Sequence, residues 1–245
     1  MKTIVIALGG NAILKKGEKP TLEVQEKNVK KALEKLFPLI KQNNVVITHG
    51  NGPQAGYLLS QQNAPLDVID AETEGQIGYL IQQNLQNLLW KKNVKKSIVT
   101  VLTQVLVDDK DSAFLKPEKF VGPFYTKQQA EKLEKKFKTK LSKAQHVFGS
   151  GMNLQIKKDS NRGFRRVVAS PMPMKIIEDG VIKRLLKEGV ICIAAGGGGI
   201  PVIIGKNGFD GVEAVVDKDL ASACLGNSIN AQELVMITDV PYACL

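Results

Sequence analysis

The sequence predicts an α/β protein built on an open, mainly parallel sheet with helices on both faces. Three observations predict it. Short apolar runs of strand length alternate with longer segments of helical period. Three of the apolar runs end abruptly in glycine-rich turns. Hydrophobic residues make up 43% of the 245, enough to bury a sizeable core in one large domain.

The elements follow in order. Lys2 to Leu8 reads as a buried strand ending at Gly9-Gly10. Thr21 to Gln42 reads as a helix, because Val29, Leu33, Leu36 and Ile40 recur on one face; Thr21 supplies an N-cap and Asn43-Asn44 a stop. Val45 to Thr48 is a second strand. It runs into His49-Gly50-Asn51-Gly52-Pro53, where Pro53 suits the first position of a helix. Pro65 to Asp70 reads as a loop entering a helix over Ala71 to Lys92, with Ile77, Leu80, Ile81, Leu85, Leu88 and Leu89 on its apolar face and Trp90 packing with it. Ser97 to Leu102 is a third strand.

From about Gln104 to Pro173 the alternation breaks. Short apolar pieces (Phe120-Val121, Val147-Phe148, Phe164 to Val168) are separated by charge and turn residues, and only Thr126 to Lys140 has helical character. Residues 104–173 are therefore expected to form an inserted subdomain or lid within a domain spanning 1–245. The alternation resumes with a helix over Glu178 to Glu188, a strand over Val190 to Ala195 and the turn Gly196-Gly197-Gly198-Gly199. A strand at Val202 to Ile204, a helix from Asp217 to Leu225 and a strand from Glu233 to Thr238 follow. Leu234 to Leu245 reads as an apolar strand and an incomplete return segment, so the chain is expected to be C-terminally shortened.

Composition narrows the function. Lys plus Arg number 34 against 24 acidic residues, a net charge of +10. The lysines are spread over several helical segments without interleaved aromatics, which argues against nucleic acid, although such a field attracts a nucleotide. The N-terminus lacks a signal-peptide pattern, and no apolar run approaches the roughly 18 residues that span a bilayer. Cys192, Cys224 and Cys244 are scattered and form no CxxC pair. A reducing, cytoplasmic setting is the simplest expectation.

Successive glycines after a strand let backbone N–H groups approach an anion, and a following helix adds its positive end. Gly9-Gly10-Asn11, Gly50-Asn51-Gly52 and Gly196 to Gly199 all fit, and would converge at the carboxyl edge of one parallel sheet. No Walker A pattern occurs, and Gly205-Lys206 lacks its partners. Gly50 to Ala55 fits GxGxxA formally, but no strand ending in an acidic residue follows, which disfavours dinucleotide binding. Asp217-Lys218-Asp219 opens a helix. Its aspartates could cap that helix, or Lys218 could bind phosphate with Asp219 organising lysines. His49 is read as structural or as a ground-state binding group, and His146 as a surface residue.

Several motifs together resemble the carbamate kinase family. They are ALGGNA at Ala7 to Ala12, THGNGPQ at Thr48 to Gln54, TVLTQVLVD at Thr100 to Asp108, KFVGPF at Lys119 to Phe124, RGFRRVVASP at Arg162 to Pro171, GGGGIPV at Gly196 to Val202 and GVEAVVDKDLAS at Gly211 to Ser222. The resemblance covers essentially the whole chain, in order. It implies the amino acid kinase fold: an eight-stranded, three-layer αβα arrangement with a protruding lid, usually a homodimer. It implies reversible phosphoryl transfer, ATP plus carbamate giving ADP plus carbamoyl phosphate, running toward ATP in arginine catabolism.

By resemblance, Gly9, Gly10 and Asn11 would hold the transferring phosphate, and Gly50, Asn51 and Gly52 the carbamate or carbamoyl side. Lys119 and Lys218 would stabilise transition-state charge, Asp219 would orient them, and Gly196, Gly197, Gly198 and Gly199 with Lys218 would serve the nucleotide. Magnesium would accompany ATP or ADP with few dedicated protein ligands. Related kinases of the fold carry a lysine just before the first glycines. Ala7-Leu8 stands there in this chain, so the lid's Lys119 is the expected substitute. Two departures stand out: Lys132 to Lys158 is longer than the family's lid segment, and the family continues past Leu245 into a GSMxPK-type motif. The alternatives are a shortened, non-catalytic relative that binds nucleotide or dimerises, and another amino acid or acyl-phosphate kinase.

Overall fold

Strands with continuous apolar runs, such as Ile4 to Leu8 and Val45 to Ile47, need cover on both faces, and the computed structural model supplies it for them. The structure describes residues 1–15, 17–61, 64–144, 155–159 and 163–237, with side chains for all but 136–144.

In chain order, β1 (Thr3–Leu8), α1 (Gly10–Ile13), α2 (Leu22–Gln42), β2 (Asn44–His49), α3 (Gly52–Gln61) and α4 (Leu66–Lys91) come first. Next are β3 (Ile98–Thr100), β4 (Gln104–Val107), α5 (Ser112–Leu115), β5 (Lys119–Tyr125), α6 (Lys127–Ala144), β6 (Gln155–Lys158), β7 (Phe164–Val168) and β8 (Pro173–Ile176). The last group is α7 (Asp179–Lys187), β9 (Ile191–Ile193), a 3-10 turn over Gly196–Gly198, β10 (Ile200–Gly205), β11 (Gly208–Gly211), α8 (Lys218–Ser228) and β12 (Glu233–Ile237).

The main sheet has the order β12-β1-β2-β9-β3, and every pairing is parallel. Side chains alternate across it as a pleated strand requires. Ile4, Ile6, Leu8, Val45, Ile47, Ile191 and Ile193 pack with Val29, Leu33 and Ile40 of α2 and with Ile77, Ile81 and Leu85 of α4. Val5, Val46 and Cys192 face the other way, toward Ile182 and Leu186 of α7 and Ala221 and Leu225 of α8. These are the three αβα layers. Each large aliphatic side chain so enclosed contributes roughly 1.5–3 kcal/mol.

A second, four-stranded sheet has the order β11-β10-β4-β8, with β10-β4 parallel and the other pairings antiparallel. A third, antiparallel sheet of order β5-β7-β6 is built from the segment expected to form a lid. The single eight-stranded sheet implied by the resemblance is thus five strands plus a separate mixed sheet among the described residues. Residues 104–173, expected as one inserted subdomain, divide between these two sheets. β4 and β8 belong to the second sheet, and the lid strands run from Lys119 to Val168.

Candidate active site

Parallel pairing of β1, β2 and β9 brings their glycine turns to one edge of the main sheet. Gly50 N–H donates to the Leu8 carbonyl at 3.1 Å, which binds the second turn to the end of β1. A Cβ added to Gly50 would stand 3.4 Å from Gly10 N and 3.5 Å from Lys218 Cδ, so the first turn, the second turn and the start of α8 meet at one point. Gly9 N–H donates to Ile237 O at 3.0 Å, which fixes the first turn against β12. Gly10 and Gly50 are half-buried; Asn11 and Gly52 are exposed.

The start of α8 carries the charge. Asp217 is its N-cap, its carboxylate accepting from Asp219 N at 2.9 Å. Lys218 Nζ lies 2.5 Å from Asp219 Oδ1. Asp217 Oδ2 accepts from Lys119 Nζ, the first residue of lid strand β5, at 2.8 Å. Burial pushes the Asp217 carboxyl up, but the bond and charge of Lys119, together with backbone N–H bonds from Asp219 and Leu220, hold the group below its ordinary value. The expected organiser, Asp219, therefore handles Lys218 alone, while Asp217 handles the lid lysine. Ser222 Oγ donates to Lys218 O at 2.6 Å and meets Thr48 Oγ1 at 2.7 Å, which docks this turn of α8 on β2.

The lid is tied down elsewhere too. Arg166 of β7 pairs with Glu213 at 2.5 Å, and Glu213 also accepts from Leu66 N at 3.0 Å. Ala169 bridges to Ala214, and Gly56 of α3 lies against Gly122 of β5.

The four-glycine turn is closely packed. Gly196, Gly197, Gly198 and Gly199 are all buried. Packing demands the glycines. A Cβ on Gly196 would come within 2.4 Å of the His49 ring, and one on Gly197 within 2.3 Å of the Asn51 amide. Gly197, Gly198 and Gly199 also adopt φ of +70°, +102° and +82°.

One turn of α4 organises these loops. Asn51 Nδ2 donates to Asp70 Oδ1 at 3.1 Å and to Thr73 Oγ1 at 3.0 Å, so the Asn51 side chain is held inward against α4. Glu74 accepts from Gly196 N at 2.8 Å and from Thr103 N at 3.1 Å. Sequence reasoning missed this turn, since polar residues on a mostly apolar helix gave the only signal.

Burial drives three of these groups toward their neutral forms. The Asp70 carboxyl is raised well above its ordinary value. His49 falls to about 4; its Nδ1 faces the Gly50 carbonyl at 3.2 Å, which assigns Nδ1 as the donor. Glu74 rises to about 8, burial outweighing its N–H bonds.

For Glu74 the sign is that of an acid held protonated by folding. Its contribution is complete below about pH 4.5, where the unfolded chain is protonated too, and fades as pH rises through 8. Every tenfold gain in proton affinity on folding is worth about 1.4 kcal/mol. Glu74→Gln cannot ionise, so its melting temperature relative to the unsubstituted protein should climb steadily between pH 5 and 8. A difference independent of pH in thermal melts would refute this.

Other expectations resolve simply. Cys192 is fully buried and unpaired. Trp90 is 82% exposed and does not pack into the core as expected. His146, Val147-Phe148, Cys244 and the segment 238–245 lie outside the described residues.

The model of the amino acid kinase family matches residues 2–242. Carbamate kinase of Pyrococcus horikoshii is 44% identical over 99% of this chain and 76% of its own length. That of Escherichia coli K12 is 43% identical over 98% of this chain and 75% of its own. The structure of carbamate kinase from Giardia lamblia bound to AMP-PNP superposes with a TM-score of 0.84 at 40% identity, covering 98% of this chain and 74% of that one.

Proposed function

The chain belongs to the carbamate kinase family of amino acid kinases, and from that premise we propose that it transfers a phosphoryl group reversibly between ATP and carbamate. One observation carries the reading: two backbone turns and Lys218 converge at the sheet edge, with a second lysine delivered from the lid. Phosphoryl transfer asks for placement and charge neutralisation more than for proton shuttling, and these residues are donors and cations rather than acid–base pairs. The Gly9-Gly10-Asn11 turn, held against β12 by Gly9 N–H, orients the transferring group, while the Gly50-Asn51-Gly52 loop presents the carbamate or carbamoyl side. Lys218, at the positive end of an eleven-residue helix, meets the developing charge from the body and Lys119 meets it from the lid. Asp219 orients Lys218. The buried Gly196 to Gly199 turn supports the site from beneath.

Magnesium is proposed to arrive with ATP or ADP. No group of three His, Cys, Asp or Glu side chains is placed to hold a metal among the described residues. The donors present suit phosphate oxygens, so the nucleotide itself would carry the ion, which neutralises phosphate charge when bound. We further place the enzyme in the cytoplasm, in arginine catabolism, as a homodimer. Unpaired Cys192 and Cys224 support the compartment. Tyr79 and Trp90, both exposed on α4 beside edge strand β3, supply an apolar surface for a second copy. No helix among the described residues is long and apolar enough to cross a membrane.

The direct measurement is ATP formed from ADP and carbamoyl phosphate, repeated with acetyl phosphate. Carbamoyl phosphate should be used at least about tenfold faster, a difference of about 1.4 kcal/mol in barrier. A preference for acetyl phosphate would move the protein to the acyl-phosphate kinases; no ATP with either would leave a binding protein.

A further inference from the structure

We propose that Asp217 is a positioning residue that holds the lid lysine Lys119 at the reaction edge and releases it to the transferring phosphoryl group when substrate arrives. The inference rests on the kinase reading above.

Asp217 uses its two oxygens for different purposes. Oδ1 caps α8 through Asp219 N, and Oδ2 accepts from Lys119 Nζ at 2.8 Å. The first contact is local. The second spans 98 residues of sequence and joins the beginning of β5 to the turn that bears Lys218. Lys119 is thereby held at the same helix start that bears the body lysine. Its side chain is 39% exposed and that of Asp217 34%, so the pair is open enough to exchange partners. Such half-exposed pairs are weak, and a phosphate oxygen competes well for the ammonium. The second lid tie, Arg166 to Glu213, is more enclosed, with side-chain exposures of 14% and 21%. It can keep the lid in register while Lys119 changes partner.

A helix cap alone would make a different prediction, and Asn separates the two roles. Asn caps a helix about as well as Asp, but it offers Lys119 no charge. In ATP formation from ADP and carbamoyl phosphate, Asp217→Asn should lower kcat about tenfold while the KM for ADP changes less than threefold. Its melting temperature should stay close to that of the unsubstituted protein. In a Lys119→Met background, adding Asp217→Asn should cost less than twofold more, because its effect passes through the lysine. Deuterium uptake by the Lys119–Tyr125 segment should also quicken in Asp217→Asn, and this readout does not depend on turnover. If Asp217→Asn folds poorly, Asp217→Ser, another capping residue, takes its place with the same expectations. Full activity in Asp217→Asn, or losses that multiply in the double variant, would overturn the proposal while leaving the kinase reading intact. Failure of the unsubstituted protein to form ATP would sink the kinase reading instead.

Discussion

Lys218→Ala should lose at least a hundredfold in kcat for ATP formation from carbamoyl phosphate and ADP, and remain folded. The size follows from the role. Removing one preorganised donor from a developing charge costs about 2.7–4 kcal/mol in comparable sites. Lys218 Cδ lies 3.5 Å from the position a Gly50 Cβ would take, so its ammonium serves the point where the two backbone turns meet. It also begins α8, whose dipole adds to its charge. Stability should change little. The helix is capped by Asp217, and the anchoring of α8 to β2 uses the Lys218 backbone carbonyl and Ser222, both unaffected by truncating the side chain. Steady-state kinetics with thermal melts would check both halves. A loss below tenfold would remove Lys218 from the transition state.

The largest structural effect is expected at Gly198. A Cβ there would stand 2.1 Å from the carbonyl oxygen of Val216, and the residue adopts φ of +102°. The obstacle is backbone, so no side chain can swing aside. Left-handed backbone costs a residue with a Cβ roughly 1–2 kcal/mol, and forced overpacking in a buried turn typically another 1–3. Gly198→Ala should therefore be less stable by about 2–5 kcal/mol, and inactive at temperatures where it stays folded. The displaced carbonyl precedes Asp217 directly, so the cap and Lys218 move with it. Chemical denaturation and ATP formation measure the two effects. A variant with unchanged stability would show that the turn can relax, and that its glycines are not set by packing.

Much of this was legible in the sequence. Continuous apolar runs gave β1, β2 and β9, and the stripe of Val29, Leu33, Leu36 and Ile40 gave α2 with Thr21 as its cap. Glycines after those strands pointed to the reactive edge. The rest depends on distant chain. α4 begins at Leu66, five residues before the period suggested, because its first N–H is satisfied by Glu213 rather than by a local cap. Strands β4 and β8 are four residues each and exist through pairing with one another and with β10, which no local pattern announces. Trp90 lies on the far side of the helix from the Ile81, Leu85, Leu89 stripe and so faces outward. Asp217 looks like any helix cap until β5 is laid beside it.

The four groups at the start of α8 also sum to a balance of charge. Lys119 and Lys218 contribute two positive charges, and Asp217 and Asp219 two negative ones, in paired contacts. These paired charges balance locally, although the whole chain carries +10. An incoming phosphate chain does not meet a bare cationic trap. It gains these lysines only as the aspartates release them, and each displaced carboxylate then needs a counterion. The exchange therefore favours ligands that bring their own cation to balance the released carboxylates.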